Sequence, residues 1–117
     1  MNREPDPRTP KPSMPTYDRH IFVCVGDKCS PSEGHVVYEH LKQSLKEGAS
    51  DPALRRVKRS KSTCLGVCQG GPVSVVYPDG VWYCNMTKEK MDRVIQGHLK
   101  QGLTVQDLAF YPPSKVI

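Results

Sequence analysis

The order of predicted elements makes this 117-residue chain an α/β domain built on a mixed four-stranded sheet with flanking helices. Three observations carry that prediction. A short apolar run, Ile21-Phe22-Val23, suits a buried strand; two later segments repeat their apolar residues at helical spacing; and Asp79-Gly80 turns the chain between two β-rich runs. In chain order these read strand, helix, strand, hairpin, helix.

The first eighteen residues hold five prolines and no apolar periodicity, so residues 1–18 are expected to form a disordered, proline-rich tail. Residues 20–25 make the first strand. Past Ser30-Pro31-Ser32, residues 33–47 are expected to be helical, because Val37, Leu41 and Leu45 recur every fourth position and Gly48 follows as a stop. Asp51-Pro52 breaks the chain again. Residues 54–60 read as a second strand, placed at a sheet edge because Arg55-Arg56-Val57-Lys58-Arg59-Ser60-Lys61 is too charged for the interior. Val73-Ser74-Val75-Val76-Tyr77 and Val81-Trp82-Tyr83-Cys84 form a hairpin about Pro78-Asp79-Gly80. The last long helix starts after Thr87, an N-cap type with Glu89 in the first turn. Met91, Val94, Ile95, His98 and Leu99 mark its buried face, and Gly102 ends it. A short helical turn over residues 104–109 is expected next. The domain proper is thus residues 19–103, with 104–117 as a C-terminal extension.

The formal net charge is +5. The basic run accounts for much of it, either as a solvated, charge-protected edge or as a docking face for an acidic partner. No nucleic-acid-binding motif accompanies it, so nucleic acid is not expected as a partner. No apolar run approaches a membrane span, and the first residues lack the apolar segment of a secretory signal. A cytoplasmic location follows as the expectation, and there cysteines stay reduced and open to metal.

Four of the five cysteines fall in two tight pairs, Cys24-x4-Cys29 and Cys64-x3-Cys68, the second running into Gln69-Gly70-Gly71-Pro72. Two strands joined by a helix lie parallel through a right-handed crossover, so their carboxyl ends emerge together. Cys24 ends the first strand and Cys64 follows the second, which delivers both pairs to one place, at the end of the sheet where open α/β folds build their sites. Thiolates in that arrangement suit an iron–sulfur centre: Cys24 and Cys29 on one iron, Cys64 and Cys68 on the other, as a [2Fe–2S] cluster requires. Gly26, Gly66, Gly70 and Gly71 allow close backbone approach.

Other readings of these residues stay open. Four thiolates also suit a closed tetrahedral zinc site in an interaction domain. A thiol–disulfide oxidoreductase would place Cys-x-x-Cys at the start of a helix, a spacing neither pair has. Cys84 sits in a strand away from either pair and is expected to be a small packing residue. His20, His35, His40 and His98 have no metal-binding spacing. Trp82 and Tyr83 read first as packing residues, with a subunit contact or electron exit as the functional alternative.

The stretch Cys64-Leu65-Gly66-Val67-Cys68-Gln69-Gly70-Gly71-Pro72, continuing through Val73-Ser74-Val75-Val76-Tyr77-Pro78-Asp79-Gly80-Val81-Trp82-Tyr83, resembles the thioredoxin-like [2Fe–2S] ferredoxins, as does His20-Ile21-Phe22-Val23-Cys24. The likeness spans residues 18–103. It implies a thioredoxin-like fold and one [2Fe–2S] cluster on Cys24, Cys29, Cys64 and Cys68. It further implies a homodimer that passes single electrons between redox partner proteins without transforming a substrate. One departure stands out: stand-alone members often have a longer loop between the first two ligands. Cys24-x4-Cys29 looks more like the cluster modules of respiratory complex I and related hydrogenases, which carry a helical region ahead of the cluster domain. The soluble carrier is the preferred reading, with an electron-relay subunit of a larger oxidoreductase complex as the alternative.

Overall fold

The computed structural model describes residues 10–14, 16–26, 31–66 and 70–112, with the side chains of residues 31 and 32 excluded. β1 (Arg19–Cys24) leads into α1 (Pro31–Glu47), a single-turn α2 (Pro52–Arg55) and β2 (Val57–Ser62). The hairpin of β3 (Ser74–Tyr77) and β4 (Val81–Tyr83) precedes α3 (Lys88–Val94) and β5 (Ala109–Tyr111). β1 pairs parallel with β2, as the helical crossover requires, and antiparallel with β3. The sheet runs β2-β1-β3-β4-β5, which makes the basic strand an edge.

The sheet has five strands where four were expected. β5 is only three residues long and pairs with β4 through a register shift between Trp82 and Tyr83. It follows the turn in which the Leu108 and Ala109 amides both donate to the Val105 carbonyl. So brief a strand has no periodicity to announce it, and pairing with β4 alone makes it one. The second strand also starts later than expected, at Val57. Asp51 is an N-cap whose side chain accepts from the Ala53 amide at 2.9 Å, Pro52 opens the turn, and Leu54 is buried beneath it.

Alternation in β1 sends Ile21 and Val23 into a core shared with Val37, Leu41 and Leu45 of α1 and Met91 and Val94 of α3. Thr87 caps α3 by accepting from the Lys90 amide at 3.1 Å. The helix continues into a π-helical segment, Ile95–Leu99, whose Ile95, His98 and Leu99 are all buried, so the predicted apolar face is one continuous stripe. Each fully buried aliphatic side chain contributes about 1.5–3 kcal/mol to folding.

A polar chain ties the hairpin to this helix. The Val105 amide donates to the Tyr83 hydroxyl at 3.2 Å, and that hydroxyl lies 2.7 Å from His98 Nδ1. His98 Nε2 in turn lies 2.6 Å from Asp79 Oδ2, which also accepts from Arg19 Nε at 2.9 Å. A carboxylate only accepts, so Nε2 carries the ring proton and Nδ1 accepts from Tyr83. Burial pushes the Tyr83 phenol above its ordinary range, consistent with a hydroxyl that keeps its proton to donate.

The other face of the sheet carries Phe22, Val75, Trp82 and Tyr111 across four strands in direct cross-strand register. Tyr77 lies beside them, edge-on to Phe22. Both α1 and α3 pack on the opposite side.

Candidate metal centre

The strand order decides where the cysteine loops meet. β1 lies between β2 and β3, so the connection from Ser62 to Ser74 must cross the carboxyl end of β1. That connection contains Cys64 and Cys68, and the end it crosses is Cys24. Hydrogen bonds stitch both sides of the crossing. The Val25 amide donates to the Ser62 carbonyl at 2.7 Å, and the Cys24 amide donates to the Val73 carbonyl at 2.9 Å. Cys24 is in register with Ser62, only two residues before Cys64. Parallel neighbours lie about 4.8 Å apart and each residue advances about 3.3 Å, so the two backbones run side by side into the tip.

Gly26 shows how closely they approach. A Cβ there would lie 1.7 Å from the Thr63 carbonyl oxygen, so only glycine fits between the first loop and the end of β2. Ser62 then shapes the turn into Cys64, with its hydroxyl donating to the Cys64 carbonyl at 3.0 Å and accepting from the Cys64 amide at 3.3 Å. Gly66, at φ +83°, aims its amide at Cys64 Sγ, 3.3 Å away. An N–H donor at sulfur favours the anionic thiolate and helps set the potential of a thiolate-bound metal.

The two described ligand candidates differ in exposure. Cys24 is 1% exposed and packs with Val73, Leu65 and Trp82, whereas Cys64 is open to solvent. Cys29 and Cys68 lie outside the described residues. Among the described residues, no group of three His, Cys, Asp or Glu side chains is placed to hold a metal ion. The two described thiols fit an iron–sulfur group: Cys24 and Cys64 at adjoining strand ends, an amide directed at the Cys64 sulfur, glycine where backbones touch and an apolar wall behind Cys24.

The thioredoxin-like [2Fe-2S] ferredoxin family model matches residues 13–99. The chain belongs to this family. It is 34% identical over 99 residues to a 2Fe-2S ferredoxin of Aquifex aeolicus, covering 77% of this chain and 86% of that protein. It is 31% identical over 94 residues to a 2Fe-2S ferredoxin of Clostridium pasteurianum, covering 76% and 92%. The crystal structure of the wild-type thioredoxin-like [2Fe-2S] ferredoxin from Aquifex aeolicus superposes with a TM-score of 0.71 at 31% identity. It covers 81% of this chain and 98% of that one. The cofactor of this ferredoxin is accordingly a [2Fe–2S] cluster, and its fold is thioredoxin-like.

Two features of the ferredoxin's tip were not anticipated from sequence. Cys84 is not remote from the cysteine loops: it follows β4 immediately and lies against Gly70, where an added Cβ would be 3.6 Å from Cys84 Cβ. The Asn85 and Met86 amides bind the Gly70 and Pro72 carbonyls at 2.6 and 3.0 Å, which draws the end of β4 to the tip. The apolar wall of Leu65, Val73 and Trp82 was also missed. Its one sequence signal is that Trp82 alternates with Val81 and Tyr83 and so faces away from the helices.

Proposed function

We propose that this ferredoxin is a non-enzymatic one-electron carrier whose cluster is held by Cys24 and Cys29 on one iron and Cys64 and Cys68 on the other. The observation that carries the reading is that the connection from Ser62 to Ser74 crosses the strand end at Cys24. Cys29 stands two residues before Pro31, the start of α1, and Cys68 two before Gly70, which supports assigning both to this tip. When bound, a [2Fe–2S] group supplies one reversible electron step. The residues do the rest. Leu65, Val73 and Trp82 keep water from Cys24, the Gly66 amide stabilises charge on Cys64 Sγ, and the exposed Cys64 side admits a redox partner protein.

The protein as isolated should contain two irons and two sulfides per chain, as a [2Fe–2S] cluster requires, and give a paramagnetic signal on one-electron reduction. Cys68→Ser should lose most of its iron, while Cys84→Ser should keep it. Colourless native protein holding zinc, or equal iron loss in both variants, would reject the assignment.

The carrier acts as a homodimer in the cytoplasm on this reading. Exposed Tyr77 and Tyr111 on the helix-free sheet face support the dimer, since large rings gathered on one face are ordinarily covered. A cluster held by cysteine thiolates needs thiols that are kept reduced during its assembly, which favours the location. Among the described residues, no helix is long and apolar enough to cross a membrane.

A further inference from the structure

The basic run does more than line an edge. A groove of about 490 Å³ opens between α1, α2 and β2, with Leu45, Leu54 and Val57 in its floor. Lys42 and Lys46 rim it from α1, Arg55 from α2 and Arg59 from β2; among the described residues no carboxylate lines it. The Lys58 ammonium turns instead to the opposite sheet face, 4.9 Å from the Tyr17 ring, and Arg59 lies over Tyr38 at 5.9 Å. None of these four rim cations forms an ion pair among the described residues. A solvated edge needs charge, but it does not need an apolar floor inside a ring of cations.

We infer that this groove docks an acidic segment of a redox partner protein, in which Asp and Glu side chains flank apolar ones. Charge complementarity selects the acidic rim and the Leu45–Leu54–Val57 floor selects the apolar anchor. A nucleic-acid strand fits less well, because no aromatic side chain lines the groove to stack a base. Lys58 precedes Ser62, the register partner of Cys24, by four residues or about 13 Å of strand. A partner seated there therefore reaches along the same edge toward exposed Cys64. The inference rests on the carrier reading and names the chemistry of the partner.

The test uses the oxidised holoprotein and three probes of equal length: a synthetic peptide of Glu-Glu-Leu repeats, polyglutamate, and oligodeoxythymidine. Calorimetric titration should find the Glu-Glu-Leu peptide the tightest of the three. Its affinity should fall about tenfold or more in K42E/K46E, but less than about twofold in K11E/K88E, which makes the same charge change elsewhere. Equal loss in both double variants, or polyglutamate or oligodeoxythymidine matching the peptide, overturns the inference. Iron and sulfide content of each sample, read separately, shows that a lost affinity belongs to the groove; cluster-free native protein would sink the carrier reading instead.

Discussion

The Tyr83 hydroxyl joins elements that the sheet leaves apart, binding the Val105 amide on one side and His98 on the other. Tyr83→Phe keeps the ring and leaves a buried imidazole nitrogen and an amide without their partner. The expected loss is about 1–3 kcal/mol, measured as a shift in denaturation midpoint; an unmoved midpoint would show that the network adds nothing. Asp79 supplies a pH dependence. Burial works against its ionisation most strongly, but the His98 and Arg19 hydrogen bonds and the charges behind them together hold its carboxyl below the usual range. A depressed folded value means that the stabilisation is complete above the unfolded value of about 4 and is lost as pH falls through the folded one. Melting curves should therefore separate native protein from Asp79→Asn by a constant gap above about pH 4 that closes at lower pH. A gap that widens with acid would contradict the sign. The sequence displayed His98 on an apolar helix face, but its partners are 15 and 19 residues away and follow no local pattern.

Among elements, the junction of the first loop with the end of β2 leaves no room for a side chain at Gly26. Gly26→Ala would drive a methyl group into the Thr63 carbonyl, backbone against backbone, with no flexible side chain to yield. The two cysteine loops must then separate. Iron content should drop sharply and the melting temperature should fall by at least the equivalent of the 1–3 kcal/mol typical of overpacking. Full cluster loading in that variant would mean the loops tolerate separation. The major elements were legible because their signals are local: four-residue spacing in α1, Thr87 before α3, Asp79-Gly80 in the hairpin. The one-turn α2 was hidden by the basic run that follows it, although Asp51-Pro52 was its cap and first residue. β5 was hidden because three residues show no period.

For the whole molecule, the helix-free sheet face bears on assembly. Tyr77 is 45% and Tyr111 55% exposed, and they flank the Phe22–Val75–Trp82 row. Replacing both with lysine should weaken self-association by about 2 kcal/mol or more and shift the sedimenting species toward monomer, with the cluster spectrum unchanged. A native protein that sediments as a monomer at every concentration would exclude the dimer.

Residue order alone determined two local thiol pairs, the helical stripes, the hairpin and a basic edge strand, because each depends on neighbours a few positions apart. Only the tertiary structure decided that the Ser62–Ser74 connection crosses the end of β1 at Cys24, that Cys84 lies beside Gly70, that a fifth strand extends the sheet and that four cations rim an apolar groove. Those features arise from strand pairing and helix docking between distant segments. The free energy of such contacts depends on what each segment meets after folding, not on its own composition.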